Sequence, residues 1–150
     1  NRQNNHENEF VSESAALRVR KIAILHAEDL LPWQRLNVAA FTISGVAATP
    51  SAVGEAYRDA SGYEYLPMFN EPVLVFGASA DEMKRTAGRA RSRGVAFSVF
   101  TQDLFSTFND EDNRGAVAAV ETDALDIVGM AFRTDRSVAD KILKGLKLLK

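Results

Sequence analysis

The chain has 150 residues, 46% hydrophobic and 25% charged, which is the balance of a globular domain able to bury a core without cross-links. A net charge of −2, a pI of about 5.7 and the lack of cysteine exclude a global basic field for nucleic acid, disulfides, thiolate nucleophiles and Cys-based metal centres. No apolar run reaches the ~18 to 20 residues of a membrane span and no secretory pattern opens the chain, so a cytoplasmic location is expected.

Residues 1–19 are rich in Asn and Glu and read as a flexible tail or docking segment, with His6 in it and outside any chemistry. A single α/β domain is expected over 20–150. Ile22 to Leu25 is a branched, fully apolar run, which suggests a strand buried on both faces. A polar turn with His26, Glu28 and Asp29 follows. Pro32 fits a first helical turn, Trp33, Leu36, Ala40 and Ile43 recur at helical spacing, and Gly45 supplies a stop.

Glu55 to Phe69 holds all three tyrosines, Tyr57 among them, around the turn signal Asp59-Ala60-Ser61-Gly62, and predicts an irregular hairpin or flap. Pro72 to Phe76 is a second apolar strand. Ser79 to Glu82 forms a capping box for a helix running to Arg93 and closed by Gly94. Asp81 and Glu82 would repel a phosphate there, so the basic run from Lys84 to Arg93 and the C-terminal lysines read as solvated helix faces.

A third strand over Val95 to Phe100 ends in Thr101-Gln102-Asp103, the kind of strand end where open α/β sheets build sites. Leu104 to Arg114 reads as a loop, Gly115 to Val120 as a short helix and Ile127 to Phe132 as a fourth strand. Ser137 is the expected cap of a terminal helix with a stripe of Val138, Ile142, Leu146 and Leu149. This order predicts a three-layer α/β sandwich, with helices on both faces of a mixed, mostly parallel sheet of about four core strands.

No Gly-x-Ser-x-Gly elbow, dinucleotide fingerprint or P-loop occurs. His26, Glu28 and Asp29 lack the spacing of a metal set, so neither a metal nor another cofactor is expected. At the first strand–helix corner Trp33 and Asn37 share a helix face, and Gln34 projects from the first turn. With Asp29, Tyr57 and Gln102 they form an amide-rich cluster suited to holding a small molecule or partner. An enzyme reading would give Asp29, His26 and Asp103 acid–base roles. A third reading is a structural or oligomerisation subunit pairing through Phe105 to Phe108, as a homo-oligomer would.

The chain resembles the archaeal and eukaryotic type of peptidyl-tRNA hydrolase and, more closely, an uncharacterised domain-of-unknown-function family sharing its fold. The resemblance rests on Lys21-Ile22-Ala23-Ile24-Leu25 leading to Asp29-Leu30, on Ala39-Ala40, Val73-Leu74-Val75 and Gln102-Asp103, and on Gly145 to Leu149. It implies a peptidyl-tRNA hydrolase II-like fold with Asp29 and Asp103 at site positions. Phe41 and Ser44 stand where the hydrolase pattern has glutamine and histidine, and Gln34 and Arg35 replace loop lysines. Losing that positive charge removes phosphate neutralisation, so nucleic acid is not an expected partner and binding without hydrolysis is the expected function.

Overall fold

A computed structural model describes residues 19 to 149; the expected tail lies almost wholly outside the described residues. The first strand, β1, spans Arg20–Ala27 and is buried from Ile22 onward, in keeping with its unbroken apolar sequence. Helix α1 (Pro32–Ala47) follows. A two-stranded hairpin, β2 (Tyr57–Arg58) and β3 (Glu64–Tyr65), precedes β4 (Val73–Ala78) and helix α2 (Ala80–Ser92). Then come β5 (Phe97–Thr101), a 3-10 turn (Gln102–Ser106), helix α3 (Asp110–Ala118) and a second 3-10 turn (Thr122–Ala124). Strand β6 (Ile127–Asp135), helix α4 (Arg136–Ile142) and strand β7 (Lys147–Leu148) complete the chain.

The main sheet has the order β5-β6-β1-β4-β7. Only β1 and β4 run parallel; β6 is antiparallel to both β1 and β5, and β7 is antiparallel to β4. The sheet is therefore mostly antiparallel and five-stranded, which corrects the expectation of a mostly parallel, four-stranded one. A parallel β5–β6 step would need the chain to cross back over a sheet face. Instead the segment between them stays at one end, where the Gln102 amide donates to the Asp126 carbonyl at 3.0 Å, and β6 must return antiparallel.

Alternation along β1 divides the core. Ile22 and Ile24 meet Val46 of α1 on one face, while Ala23 and Leu25 meet Met83 and Ala87 of α2 and Ile142 of α4 on the other. Each fully buried large side chain, such as Phe132, Ile22 or Leu25, contributes about 1.5 to 3 kcal/mol. Gly129 of β6 lies under Val38 of α1, so that an added Cβ would sit 2.0 Å from Val38 Cγ1. That missing side chain sets how closely α1 approaches the sheet.

Several local expectations change. Helix α1 runs through Gly45, which lets the helix approach β5; a Cβ there would lie 3.1 Å from Ser98 Cβ. Asn109, not a loop, starts α3, its Oδ1 accepting from the Asp112 amide at 2.8 Å. The terminal helix begins at Arg136, without the Ser137 cap, and stops at Ile142. Gly145, at φ 87°, then turns the chain so that Lys147–Leu148 joins β4 as an edge strand. The Ser79–Glu82 capping box and the Gly94 stop stand as read, Gly94 having φ 65°. The basic run is partly structural: the Arg89 guanidinium donates to the Lys144 carbonyl at 2.8 Å, and Arg91 lies 5.4 Å from the Phe97 ring centroid.

Candidate functional site

The β1–α1 corner is held by its own side chains. The Leu31 amide donates to Gln34 Oε1 at 2.9 Å, so the glutamine closes the helix start and is not free for a ligand. Arg35 donates to the carbonyls of Leu30 and Glu28, at 2.9 and 3.0 Å, and ties down the turn between strand and helix. His26 is buried in β1, its Nδ1 2.9 Å from the Ala27 carbonyl. Asp29 and Asp103 are exposed, and among the described residues no hydrogen bond joins either to His26. Nor do three His, Asp or Glu side chains among the described residues stand together as a metal set.

Trp33 and Asn37 meet different neighbours from those expected. With Phe41, one further turn along α1, they form one wall of a groove of about 400 Å³. Phe100 at the end of β5 and Phe105 in the 3-10 turn form the floor, and Phe108, Asn109, Asp110 and Asn113 form the far rim. The rings stand at steep angles: Trp33 to Phe105 at 5.8 Å and 73°, and Phe41 to Phe100 at 6.1 Å and 62°. In such edge-to-face pairs the edge of one ring packs on the face of the other. Trp33 and Phe41 remain 57% and 55% exposed, and Phe108 is 96% exposed. Three exposed rings lining one groove make a shared apolar patch, and it is such patches, not single exposed side chains, that mark interaction surfaces.

The far rim is lightly attached. Helix α3 has no buried residue and is joined to the preceding turn by the hydrogen bond from Thr107 Oγ1 to Asn113 Oδ1. A loose element beside an aromatic groove is free to adjust to an occupant. Sequence reasoning found Trp33 and Asn37 but not Phe41, although the four-residue spacing from Asn37 was a usable signal. Phe100 was read as the last residue of the third strand, and Phe105 to Phe108 as a pairing surface.

The remaining sequence candidates lie elsewhere. Tyr57 pairs with Tyr65 in the hairpin, whose turn is organised by Asp59: its carboxylate accepts from the amides of Ser61 and Tyr63 and from the Tyr65 hydroxyl. The Tyr65 hydrogen bond, more than the backbone ones, holds the Asp59 carboxyl below its ordinary range, and the same bond raises the Tyr65 hydroxyl. Gln102 is exposed and neither it nor Tyr57 lines the groove. At the opposite end of the sheet a cavity of about 600 Å³ is bordered by Arg133. That guanidinium is already engaged, bidentate to Glu71 at 2.8 Å for both bonds and donating to the Pro50 and Ser51 carbonyls, which lifts its pKa further.

Among the described residues, no helix is long and apolar enough to cross a membrane. No curated protein matches the chain. A solved structure of a protein of unknown function from Agrobacterium tumefaciens is 37% identical, with a TM-score of 0.84, covering 87% of this chain and 98% of that one. The family model described as "Protein of unknown function (DUF2000)" matches residues 20–150. The chain therefore belongs to the DUF2000 family, an α/β family whose function is not established.

Proposed function

We propose that this protein is a binding protein whose ligand occupies the aromatic groove between α1 and the segment from Leu104 to Asn113, without hydrolase activity. The observation that carries the reading is the groove itself, in which five aromatic side chains and the amides of Asn37, Asn109 and Asn113 converge on about 400 Å³. Apolar walls with a few placed polar groups are the usual make-up of a small-molecule site. Trp33 and Asn37 keep the roles read for them, at a site moved one helical turn from the corner. The likeness to the peptidyl-tRNA hydrolase fold enters as a scaffold reading only. His26 is buried and lies against a backbone carbonyl, so no geometry favours the hydrolase alternative.

Trp33 is the single tryptophan, so its emission reports occupancy directly. Screening a fragment library by thermal shift and Trp33 fluorescence should yield ligands that raise the melting temperature and alter the emission. Asn37→Ala should abolish both effects. Gln34→Ala, which loosens only the helix cap, should lower the starting stability and keep the ligand response. Ligand-induced stabilisation unchanged by Asn37→Ala would sink the assignment.

A further inference from the structure

The charge around the groove narrows what it would hold. Among its described lining residues Asp110 alone carries a formal charge, and none is a lysine, arginine or histidine. Behind Asp110, Glu111 and Asp112 continue the acidic first turn of α3. Three carboxylates outweigh the roughly half positive charge of a helix N-terminus, and the Asp112 amide is already taken by the Asn109 cap. An anion entering from this rim meets repulsion.

The walls favour the opposite sign. Ring faces carry negative potential, and a cation within about 6 Å of several of them is attracted, more strongly when it sheds water. Here Trp33 and Phe41 stand largely open on one wall above a buried Phe100, and Phe108 is exposed on the opposite rim, so a cation in the groove would meet ring surface from more than one side. Asn37 adds a polar group without formal charge, while the amide oxygens of Asn109 and Asn113 already accept from the Asp112 amide and the Thr107 hydroxyl. A methylated ammonium uses the rings and leaves no N–H unpaired.

Resting on the groove reading above, we propose that the ligand is an organic cation, a quaternary or highly methylated ammonium group held between the exposed rings of Trp33, Phe41 and Phe108 with Asp110 as its counter-charge. Arg114 is the built-in competitor, paired with Asp110 in one turn of α3 with both side chains largely exposed. An exposed pair of this kind is weak enough for a desolvated cation to share or displace.

The test uses three probes of similar shape and different charge: tetramethylammonium, tert-butanol and pivalate, at constant ionic strength. Binding to the full chain is followed by Trp33 emission and by the indole N–H resonance. Tetramethylammonium should bind about tenfold more tightly than tert-butanol, and pivalate most weakly. Asp110→Asn should weaken the cation about threefold, and Arg114→Gln should strengthen it by a similar factor, with tert-butanol unchanged in both. Opposite responses from two exposed positions separate charge from misfolding. Equal affinity for the cation and the alcohol, a preference for pivalate, or no response to either variant would overturn the cation proposal and leave the groove reading intact. If none of the three binds while a fragment still acts through Asn37, the cation proposal alone falls. If neither these probes nor the fragment library perturbs Trp33, the groove reading falls as well.

Discussion

Replacing Gly129 by alanine tests the contact that sets the depth of the groove. The new Cβ would lie 2.0 Å from Val38 Cγ1, whereas non-bonded carbons settle at about 3.5 to 4.0 Å. Val38 is fully buried, and a helical valine has essentially one side-chain rotamer, so rotation gives little relief. Helix α1 must move outward by about 1 Å or more, taking Trp33, Asn37 and Phe41 with it. Overpacking of this kind costs about 1 to 3 kcal/mol, and the severity of the overlap puts Gly129→Ala at the upper end. Val38→Ala alone should cost about 2 kcal/mol from two lost buried methyl groups and the space they leave. It also removes the atom that Gly129→Ala would strike, so the double variant should be about 1 to 2 kcal/mol more stable than the sum of the singles. Equilibrium urea unfolding, followed by circular dichroism and Trp33 emission, measures all three. A Gly129→Ala protein within about 0.5 kcal/mol of the parent, or a double variant additive to within that margin, would refute the reasoning.

The largely covered pair of Arg133 and Glu71, with side chains 7% and 17% exposed, gives a second prediction. Arg133→Met should cost about 3 kcal/mol in urea unfolding, because Glu71 and the Pro50 and Ser51 carbonyls lose their donors; a loss under about 1 kcal/mol would contradict it. Acid stability follows from the carboxylates. Glu82 is held below its ordinary 4.5 first by the backbone amide of Ser79 and then by its hydroxyl, and Asp140 below 3.8 by Lys21. Unfolding lets each bind a proton more readily, so their stabilisation is present above about pH 4.5 and is lost as pH falls through the folded values. Urea midpoints should drop steadily below that pH. Ser79→Ala should cost about 1 kcal/mol at neutral pH while keeping the backbone amide that chiefly lowers Glu82, whereas Glu82→Gln should flatten the acid dependence, and an acid profile unaltered by Glu82→Gln would count against the capping account.

Much of the fold was legible because local chemistry decides it. The branched, unbroken Ile22–Leu25 run favours a strand buried on both faces, and Ser79 with Glu82 could satisfy helix-start amides without tertiary help. Strand direction was not legible. An apolar strand has the same composition whether its neighbours run parallel or antiparallel, and the choice fell to the connection between β5 and β6, which stays at one sheet end. The terminal stripe from Val138 to Leu149 has a helical period, yet Gly145 at φ 87° and a free edge on β4 divert its last residues into β7.

For the candidate site, local sequence was enough to show that the α1 start offers apolar rings and neutral amides with no nucleophile beside them. Trp33 and Asn37 share a face because a helix repeats every 3.6 residues, and Phe41 continues it for the same reason. What that face looks upon was set by long-range packing. The fold turned Gln34 back to the Leu31 amide, buried His26 in the sheet, and left Tyr57 out on its hairpin. It also brought Phe100, Phe105 and Asp110, at least 59 positions further along, into one groove with Trp33 and Phe41. No local pattern encodes that meeting, because it depends on the glycine at 129 letting α1 settle onto β6.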